Sequence, residues 1–330
     1  MIAKEVLNDF KGKNILITGG TGLIGRQVVD ILYNAGANIR IVSLDDLKIN
    51  DNVNHIKGDL SDFNFCKEIT KDMDHVFHLA GIKGSIEVVV KKPASVLVPI
   101  LMMNTNVLEA SRINGVKKLV YTSTIGAYSA TEIFRESEYS IESKPMELSG
   151  WAKRMAELQI DAYKVQYGLQ YYSVVRPSNV YGPGDNFDPK NAMVIPSLIH
   201  RIYSEENPLV VWGDGTAIRD FVFSRDCAEG IILALYYGTK SAHFLNIGSG
   251  TGVSIRELVE TLLSFINFNY EFDPTKPAGF PKRVMDISLA KQLINYNPTT
   301  SLREGLEKTW HWFIKHQNEY LLRKNYFKEI

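Results

Sequence analysis

A chain of 330 residues, 45% of them apolar, is long enough for one large α/β unit or for two lobes around a cleft. Lys plus Arg and Asp plus Glu both number 37, which excludes a general attraction to nucleic acid or to an anionic membrane, so phosphate binding has to be local. Met1 to Lys13 mixes charges with short apolar stretches, unlike a signal or transit peptide. No later apolar run reaches the roughly 18 residues a spanning helix needs, so a cytosolic (cytoplasmic) protein is expected. Cys66 and Cys227, far apart in sequence, read as two free thiols.

In chain order, the β-branched runs Asn14–Thr18, Ile39–Leu44, His75–Gly81, Lys118–Thr124 and Tyr171–Pro177 read as buried strands alternating with helices. That alternation predicts an α/β fold with a Rossmann-type, doubly wound parallel sheet. Between the first two runs, Ile24, Val28, Ile31 and Leu32 share one helical face, and Gly36 stops the helix where the chain turns back. After Arg176 the texture changes to Pro177, Gly182, Pro183, Gly184, Pro189 and Pro196, which suggests loops over the carboxyl ends of the strands. Phe221–Phe223 and His243–Ile247 read as further strands. Leu302, Leu306, Trp310 and Phe313 form one apolar helical face, and Arg323–Ile330 reads as a frayed polar end. The expected division is a nucleotide-binding domain of 1–178 plus about 222–250, and a smaller, discontinuous C-terminal substrate lobe of 179–221 and 251–330.

Thr18-Gly19-Gly20-Thr21-Gly22-Leu23-Ile24-Gly25 follows the first strand and opens the first helix. Glycines there let backbone approach a pyrophosphate, and the helix N-terminus faces the negative charge. A strand before the loop and an amphipathic helix after it favour a dinucleotide site over a plain tight turn. Asp45, twenty residues beyond Gly25, stands where a carboxylate accepts from an adenosine ribose and repels a 2′-phosphate, which favours NAD over NADP. Asp59 and Leu60 at the next strand end would flank the adenine. Leu79, Ala80 and Gly81 at the following one would floor the cofactor.

These residues carry a resemblance. Gly19-x-x-Gly22-x-x-Gly25, Asp59-Leu60, His78-Leu79-Ala80-Gly81 and Arg176-Pro-Ser-Asn179-Val-Tyr-Gly-Pro183 look like the extended short-chain dehydrogenases/reductases, the NAD-dependent sugar-nucleotide epimerases and dehydratases. Met103–Leu108, Gly182–Phe187, Val194-Ile-Pro196, Val211–Gly215, Arg219-Asp220-Phe221 and Arg283–Asp286 resemble the blocks of GDP-L-fucose synthases in particular. The resemblance implies a guanine pocket from Val194, Leu198, Val211 and Trp212, with Arg201, Arg219 and Arg283 near the diphosphate. It places Arg176 at the cofactor and Asn179 at the substrate. Apolar walls with an indole suit a purine, and guanidinium forks suit phosphate oxygens. A GDP-linked sugar is therefore expected ahead of a UDP or dTDP sugar, in a homodimer or higher homo-oligomer built on the helices starting near Ile100 and Ser149. Cell-surface polysaccharide precursor synthesis is the setting the family implies.

The family's reacting centre pairs a strand-end Ser or Thr, which orients a sugar hydroxyl, with a Tyr four residues before a Lys. The ammonium lowers the phenol so that it can take the hydroxyl proton. Here Thr124 supplies the hydroxyl, with Ser123 as its neighbour, and Lys153 matches the lysine, which would also bind the nicotinamide ribose. The tyrosine position holds Ser149. An aliphatic alcohol is shorter and far less acidic. Either the serine was substituted to disable the enzyme, or a water held by Ser149 and Lys153 relays the proton, or the chain binds without turnover. Ser149 also reads as a helix N-cap. Where GDP-L-fucose synthases carry an epimerising cysteine and histidine, this chain has Gly126 and Met193, and where 4,6-dehydratases carry Asp-Glu it has Ile125-Gly126. Hydride transfer at C4 of a GDP-linked hexose or heptose survives, as does C4 epimerisation. No metal is expected, since His75 and His78 fall on opposite faces of one strand.

Overall fold

The computed structural model describes residues 2–82, 91–188, 191–240, 242–317 and 319. A short helix α1 (Lys4–Asn8) leads into β1 (Asn14–Thr18), α2 (Gly25–Asn34), β2 (Asn38–Ser43), β3 (Asn54–Lys57), α3 (Phe63–Thr70), β4 (His75–His78), α4 (Pro93–Ile113) and β5 (Lys118–Thr122). The two-residue strand β6 (Ile133–Phe134) precedes α5 (Leu148–Tyr167) and β7 (Tyr172–Pro177). Then come β8 (Asn179–Tyr181), α6 (Val194–Tyr203), β9 (Leu209–Trp212), β10 (Ile218–Phe223), α7 (Ser224–Tyr237) and β11 (Leu245–Ile247). The chain continues through β12 (Gly252–Ser254), α8 (Ile255–Leu263), β13 (Tyr270–Asp273), β14 (Lys282–Met285), α9 (Ser288–Ile294) and α10 (Leu302–His316).

Seven parallel strands in the order β11-β7-β5-β4-β1-β2-β3 form the large sheet. β1, β4, β5 and β7 are buried nearly end to end because helices cover both faces, which is why their sequences read as continuous apolar runs. The chain winds from β1 outward to β3, then returns to β4 on the other side of β1. That reversal opens a crevice at the carboxyl ends of β1 and β4, where ligands of such sheets bind. Helix α2 buries Val28, Val29, Ile31 and Leu32 against the sheet and ends at Ala35, followed by Gly36 at φ +83°.

A second sheet, β12-β10-β14-β6 with β8 beside β10, and a β13–β9 pair make the smaller lobe. Its core joins Tyr181, Phe187, Leu198, Val211, Phe221, Phe223, Leu258, Leu306 and Phe313. The C-terminal helical face seen in the sequence is α10, with Leu306 and Phe313 buried and Leu302 and Trp310 packed on that core. β6 was not legible in the sequence, and through it the first segment lends a strand to the small sheet beside β14. Buried Asp220 ties the parts together by accepting from the Ser178 and Ser249 hydroxyls and from the Ser249, Gly250 and Met285 amides. Both cysteines are free and buried. Among the described residues no helix is long and apolar enough to cross a membrane. The frayed end expected at Arg323–Ile330 and Pro189 lie outside the described residues.

Candidate active site

The glycine loop is built by close approach. Gly19 has φ +69°, and a Cβ there would stand 2.9 Å from the Ala80 backbone. At Gly25 it would stand 2.2 Å from the Gly19 carbonyl, so α2 can start against the loop only with glycine at this position. The α2 N-terminus thus faces the crevice with Gly22, Leu23 and Ile24 leading into it, the geometry that suits a pyrophosphate. Asp45, half-buried past the end of β2, accepts from Thr21 Oγ1 at 3.1 Å and from the Leu47 amide at 3.1 Å. Across the loop, Leu79, Ala80 and Gly81 follow β4, with the Leu79 amide donating to the Thr18 carbonyl. Asp59 is exposed and turns the chain by accepting from the Ser61 amide, while Leu60 is buried.

A buried polar chain supports this floor. Thr18 Oγ1 accepts from the Ala80 amide at 3.3 Å and donates to His78 Nδ1 at 2.8 Å. His78 Nε2 then donates to Asn104 Oδ1 at 3.0 Å, and the Asn104 amide donates to the Tyr121 hydroxyl at 2.9 Å. Full burial, helped by the charge of Lys153, pulls the His78 imidazole down to about 3. The histidine is neutral when folded and ordinarily titrates near 6.5 when unfolded, so below that pH the unfolded chain gains a proton the native state refuses. Between pH 6.5 and 5 this one group should withdraw about 2 kcal/mol of stability. Urea melts at pH 7 and pH 5 should show it, and the pH-dependent loss should shrink by that amount in His78→Asn. An unchanged loss in the variant would refute the assignment.

The reacting centre collects at the end of β5 and the start of α5. Thr124 Oγ1 accepts from the Gly126 amide at 3.2 Å, which leaves its hydroxyl proton to be donated. Ser123 is not an alternative, because its hydroxyl is buried and spent on Glu157 Oε1. Tyr128 is buried and donates to Asn246 Oδ1 at 2.8 Å, and burial pushes its phenol up, so it is no base. Lys153 Nζ donates to the Thr122 carbonyl at 2.8 Å, lies 5.1 Å from the centre of the Tyr121 ring, and borders Gly81, whose Cβ would be 3.5 Å away. Burial pulls this amine down to about 8, against the attraction of Glu157. Ser149 is not the N-cap of α5: Glu147 holds that position, and Ser149 Oγ lies 3.5 Å from Glu147 Oε2. Glu147 went unnoticed in the sequence, because two residues before a helical serine an acidic residue reads as an ordinary helix flank.

Arg176 corrects an expectation. It is fully buried, forks Glu157 at 2.9 and 2.6 Å, and lies 3.6 Å from the centre of the Phe244 ring, so it braces the sheet below the site and cannot meet a cofactor phosphate. Arg201 is likewise committed. It forks Glu206 and donates to the Val210 carbonyl at 2.6 Å, tying α6 to β9 with its charge matched, a structural tie in place of the expected diphosphate contact. Arg219 and Arg283 are register partners on neighbouring strands. Arg219 donates to the carbonyls of Ile218, Ala278 and Phe280, and burial followed by the charge of Arg283 pulls it down from its ordinary value. Among the described residues the buried Nε of Arg283 has no hydrogen-bond partner, and the guanidinium lies over Phe280. Two adjacent guanidiniums with an orphaned donor fit an anion. Asn179 donates to the Asp220 carbonyl at 3.0 Å. Of the expected purine walls, Leu198 and Val211 are buried in the lobe core, Val194 is half-buried, and Trp212 is 59% exposed with its indole available.

Residues 15–248 match the pattern of the NAD dependent epimerase/dehydratase family, over most of the chain. The chain belongs to this family. Within it, the chain is 30% identical over 317 residues to a probable GDP-L-fucose synthase 1 from Oryza sativa subsp. japonica, covering 92% of this chain and 93% of the relative. A GDP-L-fucose synthase 1 from Arabidopsis thaliana is 31% identical over 316 residues, 92% and 94% of the two chains. Among solved structures, epimerase Mth375 from Methanothermobacter thermautotrophicus superposes with TM-score 0.85 at 27% identity, covering 98% and 97% of the two chains. UDP-glucose 4-epimerase from Thermotoga maritima, solved with UDP-glucose, gives 0.82 at 29% identity, covering 92% and 99%. Membership in this epimerase/dehydratase family makes NAD the cofactor, and the Gly19–Gly25 loop, the half-buried Asp45 and the small-residue floor at Ala80 fit it.

Proposed function

We propose that the chain transfers hydride at C4 of a nucleotide-linked hexose or heptose, with GDP as the nucleotide and NAD held by Gly19, Thr21, Gly22, Leu23, Ile24, Asp45, Asp59, Leu60, Leu79, Ala80, Gly81 and Lys153. NAD supplies the hydride acceptor. Thr124 donates to the sugar O4 and fixes it, and Lys153 provides the positive charge that favours an alkoxide there. Arg219 and Arg283 take the diphosphate, Asn179 a sugar hydroxyl, and Val194 and Trp212 the base, while Leu198 and Val211, buried in the lobe core, are not in reach of it. The observation that carries this reading is Lys153 beside Gly81, bonded to the Thr122 carbonyl two residues before Thr124, in a chain with Gly126 and Met193 where the resemblance would put the proton-exchanging groups of double epimerisation. The test is the rise of reduced-nicotinamide absorbance when GDP-mannose or a GDP-heptose is added to the NAD-loaded protein. A flat trace that stays flat after Ser149→Tyr favours a GDP-sugar-binding protein without turnover, and equal reduction of NADP overturns the role given to Asp45.

A second reading, C4 epimerisation, has support from a specific likeness, that to the Thermotoga maritima 4-epimerase. It differs by producing two interconverting sugar nucleotides with no net change in absorbance. A dimer also suits the surface: α4 leaves Val98 and Met102 exposed one turn apart, and the adjoining α5 leaves Leu148, Trp151 and Met155 exposed on one stripe. Light scattering at micromolar concentration should give twice the chain mass, falling to one chain in Trp151→Glu/Met155→Glu. A monomer in the unaltered protein refutes the dimer.

A further inference from the structure

Glu147 stands in the reacting centre without a structural duty there. It flanks α5 but makes no capping hydrogen bond. Its ion contact with Arg283 is a loose 3.7 Å, and its side chain is 45% exposed. The room it occupies exists because residue 126 is glycine: a Cβ there would meet Glu147 Oε2 at 3.1 Å and Cδ at 3.4 Å. The carboxylate thus lies over Gly126, two residues past the strand-end Thr124, with Ser149 Oγ 3.5 Å from its Oε2. That last distance is long for a hydrogen bond, as pairs that tighten on binding substrate often are.

We infer that Glu147 is the terminal proton acceptor of this centre, reached from the sugar through Ser149, so that a serine–carboxylate pair replaces the absent phenol. The inference rests on the hydride-transfer reading above. As the sugar O4–H bond breaks, its proton passes to Ser149 Oγ while the Ser149 hydroxyl proton passes to Glu147 Oε2. The C4–H electron pair leaves as hydride to the nicotinamide oxidant, and the C4–O4 bond becomes a carbonyl. In the reducing direction Glu147 returns the proton by the same route. Lys153 is the rival acceptor, but an amine near 8 is mostly protonated at pH 7 and cannot take a proton.

The experiment is Glu147→Gln, Glu147→Asp and Glu147→Gln/Ser149→Tyr, each assayed for binding of GDP-mannose and NAD by calorimetry and for kcat. Glu147→Gln should lower kcat by about 10²-fold or more with both affinities nearly unchanged, Glu147→Asp should keep part of the rate, and the added tyrosine should restore it. Independently of turnover, difference infrared spectra should show a carboxylate band, absent from Glu147→Gln, that shifts when GDP-mannose binds and stops shifting in Ser149→Ala. Unimpaired turnover by Glu147→Gln, or a Glu147 band indifferent to bound GDP-mannose, overturns the relay. Bound GDP-mannose and a responsive band without NAD reduction in the unaltered chain would uphold the relay contact and overturn the hydride-transfer reading instead.

Discussion

Glu157→Gln should cost about 3–5 kcal/mol of folding stability, the largest loss expected from any single polar substitution here. Its partner Arg176 has no exposed surface, and its guanidinium sits among the rings of Phe244, Tyr128 and Tyr139. A neutral amide leaves that charge unmatched in an apolar cage, whereas the carboxylate meets it with two hydrogen bonds and also accepts from Ser123. Chemical denaturation with a fixed slope measures the loss. The double variant Arg176→Met/Glu157→Leu should recover most of it, since replacing both charges removes the desolvation cost along with the attraction. If NAD binds the double variant as well as it binds the unaltered chain, the bracing role given to Arg176 holds. A loss below about 1 kcal/mol in Glu157→Gln, typical of exposed pairs, would mean the pair is hydrated in solution.

Lys153→Met should lower hydride transfer by about 10²–10⁴-fold, the range for removing one positioned proton-transfer or charge-stabilising group. The folded protein should remain intact, because a methionine fills the lysine stem's path along Tyr121 and the loss is confined to the bond to the Thr122 carbonyl and the ammonium's contact with the Tyr121 ring. The same amine sets a pH limit. Because burial brings it down to about 8, its ammonium form is lost as pH rises through that value, and turnover should fall there. Stability should move the opposite way. Between about 8 and its ordinary value of 10.5, the unfolded chain binds a proton the native state does not, so this group's contribution rises with pH across that window. A falling rate in a protein that is not unfolding separates the two effects. A rate that stays level to pH 9 would show that the ammonium is not required.

The nucleotide half was legible because its determinants are local. The Gly19–Gly25 loop lies between a β-branched run and an amphipathic helix, Asp45 lies two residues past the next strand, and each of these is visible within a window of a few residues. The resemblance supplied Thr124 and Lys153 for the same reason, as short motifs at a fixed spacing. β6 escaped because two residues carry no period, and the Ser149 N-cap reading failed because the helix begins two residues earlier, with Glu147 as its cap.

By itself the sequence determined the α/β class, the family and the NAD cofactor, all of which rest on residue type and short spacing. Tertiary structure alone decided what the charged side chains are for. Arg176 is claimed by Glu157 and Arg201 by Glu206, although a sequence can only offer them as free cations. Arg219 and Arg283 stand side by side because β10 and β14 pair in register. Glu147 meets Ser149 and the open space at Gly126 because the start of α5 folds back on the end of β5. Electrostatic partnership depends on distances of a few ångströms between segments far apart in the chain, and no local pattern encodes them.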